Sequence, residues 1–486
     1  MLLSEILGKY PLVRLKGDKN IDITGLEHDS RKVKEGYLFV AQRGFTVDGH
    51  DYIKDAIEKG AVAVVKDREV ELGSLEGRVT LIDVLNSTDA LGYFASRFYK
   101  QPWTRMRTIG ITGTNGKTTT SYILKRILEI KNEKVGIIGT MGVIINREKF
   151  SLPNTTPDSL EIQRNLSRMV ENKIDTCIME VSSHALDLRR VKYMDFDVSL
   201  FINLSQDHLD YHEDMESYYR AKLRLFHKTR DLMVINRDDP YGKRLIDDIR
   251  SPARLITYGI EAGDIRASHI SYGSSGSKFK LNTPAGQVDI NLRIPGKFNI
   301  YNSLAAAATA YGLGMELELI KEGLEDFKGV RGRFEHIETN RDFDIIIDFA
   351  HTPEGIREVL KAVDVFAQGR KVIVFGAGGN RDKSKRPEMG RVAGEFADFV
   401  IITSDNPRYE DPMVIAKDIE VGVKESKTQY KIILDRKEAI KYAIMNSMPK
   451  DIILITGKGH EDTIIVKDQV IPFDERQIVL EMLDKI

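Results

Sequence analysis

The sequence predicts an α/β protein built as three domains in series, each on a mostly parallel sheet. Three observations carry this. Short β-branched and apolar runs alternate with stretches of helical spacing along the chain, the pattern of right-handed βαβ units. The length, 486 residues, suits roughly three domains at about 100–200 residues each. A glycine-punctuated segment, Gly113 to Thr120 (GTNGKTTT), joins an apolar run to a helical stretch, as a phosphate-binding loop does.

Composition narrows the class. The chain is 42% hydrophobic and 30% charged, ordinary for a soluble enzyme. A net charge of −1 argues against nucleic-acid binding through bulk electrostatics. Cys177 is the single cysteine, so no intrachain disulfide forms and a reducing compartment is expected. The opening MLLSEILGKYPLV has no basic region ahead of a long apolar core, which predicts no signal peptide. No apolar run reaches about 18 residues, which predicts no transmembrane helix. The expectation is a cytoplasmic enzyme, monomeric, with small-molecule substrates and neither nucleic-acid nor membrane partners.

In the first block, residues 1–102, Tyr37 to Ala41, Ala61 to Lys66 and Val79 to Val84 read as strands. Asp51 to Lys59 reads as a helix stopped by Gly60, and Ser87 as the cap of a helix reaching Tyr99. Two polar clusters, His28-Asp29-Ser30-Arg31 and the Gly44 to His50 loop, are turns or binding loops. Lys100 to Trp103, with its proline, reads as a linker.

The second block, 103–329, opens on the strand Thr108 to Thr112 and the helix Lys117 to Leu128, which flank the phosphate loop. Val135 to Thr140, Thr176 to Val181, Val198 to Asn203 and Leu232 to Asn236 are apolar enough for buried parallel strands. Thr156-Pro157-Asp158 reads as a helix start with a threonine cap and proline at the first position. Residues 265–296 alternate like a β-hairpin appendage, and an alanine-rich helix follows from Asn302 to Tyr311. In the third block, 330–486, strands are predicted at Asp344 to Phe349, Lys371 to Phe375, Phe399 to Thr403, Tyr430 to Leu434 and Asp451 to Thr456. Lys371 to Gly379 (KVIVFGAGG) resembles a dinucleotide fingerprint, but its third glycine position is Arg381, so an NAD site is not expected.

Ligands of open α/β sheets bind at strand carboxyl ends. Four polar endings fall in the middle block: the phosphate loop, Glu180 to His184 (EVSSH), Asn203 to His212 (NLSQDHLDYH), and Asn154-Thr155-Thr156. In the loop, unpaired backbone N–H groups and the helix dipole favour phosphate. Lys117 would reach the outer phosphates and Thr118 would ligate Mg²⁺. The strict Walker consensus fails, because Ile111 stands where it has glycine. Glu180 and His208 suit Mg²⁺, which needs only one or two protein ligands besides phosphate oxygens. Lys222, read alone, is a surface lysine on an amphipathic helix from Tyr218 to Phe226.

GTNGKTTT, MEVSSHAL, NLSQDHLDYH, the Ala221-Lys222-Leu223 of YYRAKLRLF, KFNIYNS, GVRGRFE, DFAHTP and SDNPR occur in this order. Together they resemble the Mur ligases of peptidoglycan precursor synthesis, over essentially the whole chain from Asp29-Ser30-Arg31 to the closing GKGHED. An irregular Walker loop is usual in that family. The resemblance implies a three-domain architecture with a central P-loop ATPase-like sheet and a C-terminal Rossmann-like domain. It implies a ligase that phosphorylates a substrate carboxylate with ATP and then joins it to an amine.

By that resemblance ATP lies on Gly113, Thr114, Asn115, Gly116, Lys117, Thr118 and Thr119, with adenine and ribose held by Asn299, Asn302, Arg331 and Asp348. Two Mg²⁺ ions are implied, one near Thr118 and Glu180 and one near His208. Lys222 matches a lysine that carries a CO₂-derived carbamate. A UDP-muramoyl dipeptide would meet Ser30 on its uridine side and Asn154, Thr155, Thr156, Ser182 and Arg190 along its sugar-peptide arm. Leu188 departs from the pattern, where several relatives have glutamine.

Asp405-Asn406-Pro407-Arg408 is an ordinary turn by composition. Within the family it marks members that add meso-diaminopimelate, whose extra carboxylate a planar guanidinium grips bidentately. Arg381 matches a second grip, and Gly457 and Glu461 match contacts to the distal ammonium. A lysine-adding ligase, a folylpolyglutamate synthase-like ligase and a non-catalytic nucleotide switch are the alternatives.

Overall fold

The computed structural model describes residues 1–44, 47–207 and 209–485, without the side chains of Leu209 and Asp210. The chain divides into two compact units, Met1–Lys117 with Lys131–Ile256, and Thr118–Ile130 with Thr257–Ile486.

The first unit holds two sheets. In the N-terminal one the strands run in the order Arg14–Lys16, Thr80–Asp83, Ala61–Lys66, Tyr37–Val40, Gly25–Glu27. The first pair is antiparallel and the rest are parallel. In the other sheet Thr229–Asn236, Phe196–Phe201, Arg107–Thr112, Thr176–Glu180 and Val135–Gly139 lie side by side in parallel. An antiparallel hairpin, Gly142–Ile145 and Glu148–Phe150, extends it. Ile109, Ile111, Ile137, Ile178 and Leu200 are fully buried. Both faces of these strands are covered, which is why they read as near-continuous apolar runs.

Polar and aromatic contacts join the two sheets of the first unit. Arg164 on the helix Ser159–Glu171 meets Glu27 at 2.7 Å. Lys192 and Tyr193 both bond Asp89 at 2.6 Å, and Tyr193 packs edge-on against Tyr93.

The strand Arg254–Gly259 enters the second unit at Thr257 and pairs at Tyr258 and Gly259 with the start of an antiparallel meander, Ile265–Gly273, Gly276–Thr283, Gly286–Leu292. The expected hairpin is therefore three strands. The alanine-rich helix starts earlier than expected, at Lys297, and runs to Gly312. Helix residues from Thr118 onward belong here: Gly323 of Leu317–Asp326 lies against Ile127, and Arg126 meets Asp326 at 2.6 Å. The C-terminal sheet runs Glu335–Ile337, Asp344–Asp348, Ile452–Thr456, Lys371–Phe375, Phe399–Ile402, Gln429–Ile432, parallel except for its first pair.

Two expected caps move. The helix Ser87–Phe98 is capped by Asn86, whose side chain accepts from Asp89 N, while the Ser87 N–H goes to Asp67. The helix after Thr156 begins at Ser159 and is capped by Asp158. Thr156 cannot cap it, because its hydroxyl is committed to the carbonyl of Glu180 at 2.8 Å. Among the described residues no helix is long and apolar enough to cross a membrane.

Candidate active site

The phosphate loop leaves the carboxyl end of Arg107–Thr112, with Thr176–Glu180 on one side and Phe196–Phe201 on the other. Gly116 takes φ +86°, a left-handed conformation that a residue with a Cβ adopts at a cost. Asn203, at the end of the neighbouring strand, clamps the loop: its Oδ1 accepts the N–H groups of Thr114 and Asn115, both at 3.0 Å. Thr114 Oγ1 meets the buried Tyr218 hydroxyl at 3.2 Å. Asn115 is exposed, while Thr118 and Thr119 are buried.

Two lysines converge on one carbonyl. Lys117 Nζ donates to Gly113 O at 2.8 Å and Thr114 O at 2.9 Å, and Lys222 Nζ donates to Gly113 O at 3.0 Å. Lys222 is therefore no surface residue. It is 1% exposed on the helix Met215–Phe226, over the face of Tyr218. Burial first, then the Lys117 charge, push its amine well below the ordinary lysine range; Asp207 opposes them.

Glu180 is fully buried at a strand end. Thr140 holds it through its N–H at 3.2 Å and its hydroxyl at 2.9 Å, and also meets Thr155 at 3.1 Å. Thr156 bonds the Glu180 carbonyl and accepts from Ser182 N at 3.0 Å, and Arg190 donates to Thr156 O at 2.6 Å. Thr155, Thr156, Glu180, Ser182 and Arg190 thus form one connected network, with Asn154 exposed at its margin. Ser30 is buried in the short turn Ser30–Lys32 that Asp29 caps. His208 lies outside the described residues.

Gly139 explains how Glu180 reaches its place. A Cβ there would fall on Glu180 Oε1, inside van der Waals contact. Gly139→Ala is expected to displace the carboxylate and lower kcat by about 10²-fold, the scale on which a small misplacement of a positioning group is felt. Thermal unfolding checks that the fold survives; unchanged kcat would remove Glu180 from the chemistry.

In the second unit, Asn302 and Asn299 are buried and continue a chain behind the phosphate helix. Thr120 Oγ1 donates to Asn302 Oδ1 at 3.3 Å, Asn302 to Asn299 Oδ1 at 3.2 Å, and Asn299 to Pro295 O at 2.7 Å. Arg331 is exposed and pairs with Asp474 at 2.7 Å. Asp348, at the end of its strand, accepts the N–H groups of Phe334 and Ala350, each at 2.7 Å. Burial raises its pKa despite the nearby Arg333 charge.

The other polar strand ends of this unit meet at Asp405–Arg408. Asn406 is buried; its Oδ1 accepts from Ile465 N at 2.9 Å and from Lys458 Nζ at 3.1 Å, and its Nδ2 donates to Glu461 at 2.9 Å. Arg408 Nη1 donates to Gly379 O at 2.8 Å. Pro407 is buried, Arg381 is exposed, and Gly457 lies beside Asp405. The glycines that mimic a dinucleotide fingerprint have a packing reason: a Cβ at Gly379 would overlap Pro407 O.

Asn203 opens the expected polar ending Asn203 to His212, and its part in clamping the phosphate loop is what the structure adds. Thr140 and Lys458 were not among the expected site residues and acquire meaning only through their partners. Among the described residues no group of three or more His, Cys, Asp or Glu side chains is gathered that could hold a metal alone. The Glu180 carboxylate is an oxygen donor of the kind that suits Mg²⁺ as a ligand supplementary to phosphates.

Residues 22–99 match the Mur ligase family catalytic domain, 111–310 the Mur ligase middle domain, and 332–459 the Mur ligase glutamate ligase domain. The chain is 48% identical, over 96% of both sequences, to a UDP-N-acetylmuramoyl-L-alanyl-D-glutamate--2,6-diaminopimelate ligase of Caldanaerobacter subterraneus subsp. tengcongensis. It belongs to the Mur ligase family. Among solved structures, one of a UDP-N-acetylmuramoyl-L-alanyl-D-glutamate--2,6-diaminopimelate ligase superposes with a TM-score of 0.71 at 29% identity, covering 100% of this chain and 99% of that one. A MurF ligase from Thermotoga maritima in complex with ADP shares the fold, with a TM-score of 0.62 at 21% identity over 96% and 97% of the two chains. The irregular phosphate loop is thus a Mur ligase loop, and the three matched segments follow the order of the three larger sheets.

Proposed function

We propose that this Mur ligase joins meso-diaminopimelate to UDP-N-acetylmuramoyl-L-alanyl-D-glutamate with conversion of ATP to ADP and phosphate, in cytoplasmic peptidoglycan precursor synthesis. The observation that carries the reading is full-length similarity to relatives of that name. The Asp405–Arg408 turn agrees with it. Domain boundaries near residues 102 and 329 complete the reading.

A free carboxylate does not condense with an amine in water. Transfer of the ATP γ-phosphoryl group gives an acyl phosphate; the amine attacks its carbonyl carbon, the C–O bond to phosphate breaks, and the amine loses a proton. The loop N–H groups and the Lys117 ammonium hold the anionic phosphates beside a carboxylate that they would otherwise repel. When bound, Mg²⁺ supplies further neutralisation of that charge, with Thr118, Glu180 and His208 as its protein ligands for two ions. The Lys117 ammonium on the Gly113 carbonyl opposes a divalent cation, and a neutral Lys222 amine does nothing to offset it. A carbamate on Lys222 would put an anionic oxygen donor in that amine's place.

Ser30 takes the uridine side of the UDP-substrate, and Asn154, Thr155, Thr156, Ser182 and Arg190 take its sugar-peptide arm. Asn299, Asn302, Arg331 and Asp348 are the residues for the adenine and ribose of ATP. Arg408 and Arg381 grip the distal carboxylate, and Asp405, Asn406, Pro407, Gly457 and Glu461 shape the site of the distal ammonium.

The test is phosphate release from ATP with the UDP-dipeptide and a panel of amino acids. Stimulation by meso-diaminopimelate well above L-lysine is expected. No stimulation by any amino acid would overturn the ligase reading, and equal rates would overturn the substrate.

A further inference from the structure

Lys458 is 0% exposed, yet no contact in the proposed reaction requires it. Its ammonium lies 3.1 Å from Asn406 Oδ1, 3.1 Å from Glu461 Oε2 and 3.8 Å from Asp405 Oδ1. These are the groups proposed to receive the distal ammonium of the amino acid. The geometry of the turn does not depend on Lys458 alone. Asn406 Nδ2 already donates to Glu461 Oε2, and the Ile465 N–H already fixes Asn406 Oδ1. What Lys458 adds that these bonds do not is a positive charge.

The formal charges can be followed outward. Asp405 and Glu461 carry two negative charges, and Lys458 cancels one. The adjoining layer is Arg436 with Glu475 at 2.6 Å, both fully buried and together neutral. One net negative charge therefore remains beside the Arg408 guanidinium, which the Gly379 carbonyl orients; Arg381 adds a second, exposed cation. A pocket with one anionic and one cationic side matches the zwitterionic end of an amino acid. Lysine offers only the ammonium.

We infer that Lys458 is a specificity-determining positioning residue, which sets the charge of the amino-acid site so that a zwitterionic side-chain end is preferred over a cationic one. The inference rests on the proposed function and deepens it. Without Lys458 the site carries a second uncompensated carboxylate. That strengthens attraction for any ammonium and repels the distal carboxylate of diaminopimelate, so the balance moves toward lysine.

The experiment measures kcat/KM for meso-diaminopimelate and for L-lysine in the full-length enzyme, with phosphate release as the readout. Lys458→Met is expected to move the diaminopimelate-to-lysine ratio toward lysine by about tenfold or more, with the KM values for ATP and the UDP-dipeptide held. Lys458→Arg, which keeps the charge, is expected to retain the wild-type ratio. Glu461→Gln, at a partly exposed position, is expected to move the ratio the other way. A merely structural role would lower both efficiencies together. If Lys458→Met folds and its ratio is that of the wild type, the inference fails. If Lys458→Met does not fold, an unchanged ratio in Glu461→Gln overturns it. A wild-type enzyme stimulated by no amino acid instead overturns the proposed function, and the two failures are distinct.

Discussion

Lys222→Ala is expected to lower kcat by about 10²–10³-fold, the scale on which loss of one preorganised charge in a transition-state cradle is felt. The site predicts a more specific result as well. As an amine, Lys222 is buried, lies over an aromatic face and shares the Gly113 carbonyl with Lys117. Holding an ammonium there costs desolvation and repulsion from Lys117, so the position favours the uncharged amine that attacks CO₂. The reaction forms an N–C bond and releases one proton, leaving a carbamate anion. Activity of the wild-type enzyme is therefore expected to fall after exhaustive removal of CO₂ and bicarbonate, and to return when bicarbonate is restored. Lys222→Ala should show neither response, with its folded circular dichroism spectrum retained. Wild-type activity indifferent to CO₂ would remove the carbamate from the mechanism while leaving the lysine in place.

Lys222 also illustrates what a sequence conceals. The buried strands are legible because coverage on both faces leaves continuous apolar runs, as at Thr176–Glu180 and Ile452–Thr456. The edge strands Arg14–Lys16 and Glu148–Phe150 are three residues each and largely exposed. They owe their form to their pairing partners and carry no periodic signal. Caps were misplaced by one or two residues wherever several capping types adjoin, as at Asn86-Ser87 and Thr156-Pro157-Asp158.

In the site, the loop and the polar strand endings were legible because each follows its strand directly. Thr140 was not: its hydroxyl reaches Glu180 only because the parallel register sets Ile138 against Met179. Lys222 sits in a helix whose spacing is amphipathic, and the pattern cannot tell a stem that snorkels outward from one that points at a loop in the same unit.

Arg408→Asn is expected to lower kcat/KM for meso-diaminopimelate by about 10²–10³-fold, the range for truncating one partner of a desolvated charge pair. The preference over lysine should collapse with it. The choice of asparagine follows from the backbone. Arg408 sits at φ +52°, in the left-handed region where a non-glycine residue costs about 1 kcal/mol or more and asparagine is among the best tolerated. Two backbone bonds hold it there, Arg408 N to Ile465 O at 3.0 Å and Lys467 N to Arg408 O at 2.7 Å. The strand Thr463–Val466 thereby anchors the turn that carries the selectivity. Backbone preference does not explain an arginine at this position, so the guanidinium is there for what it touches. Arg408→Asn should accordingly unfold at a temperature no lower than the wild type while losing its favoured substrate. A variant that keeps its selectivity for diaminopimelate would show that Arg408 serves the turn and not the ligand.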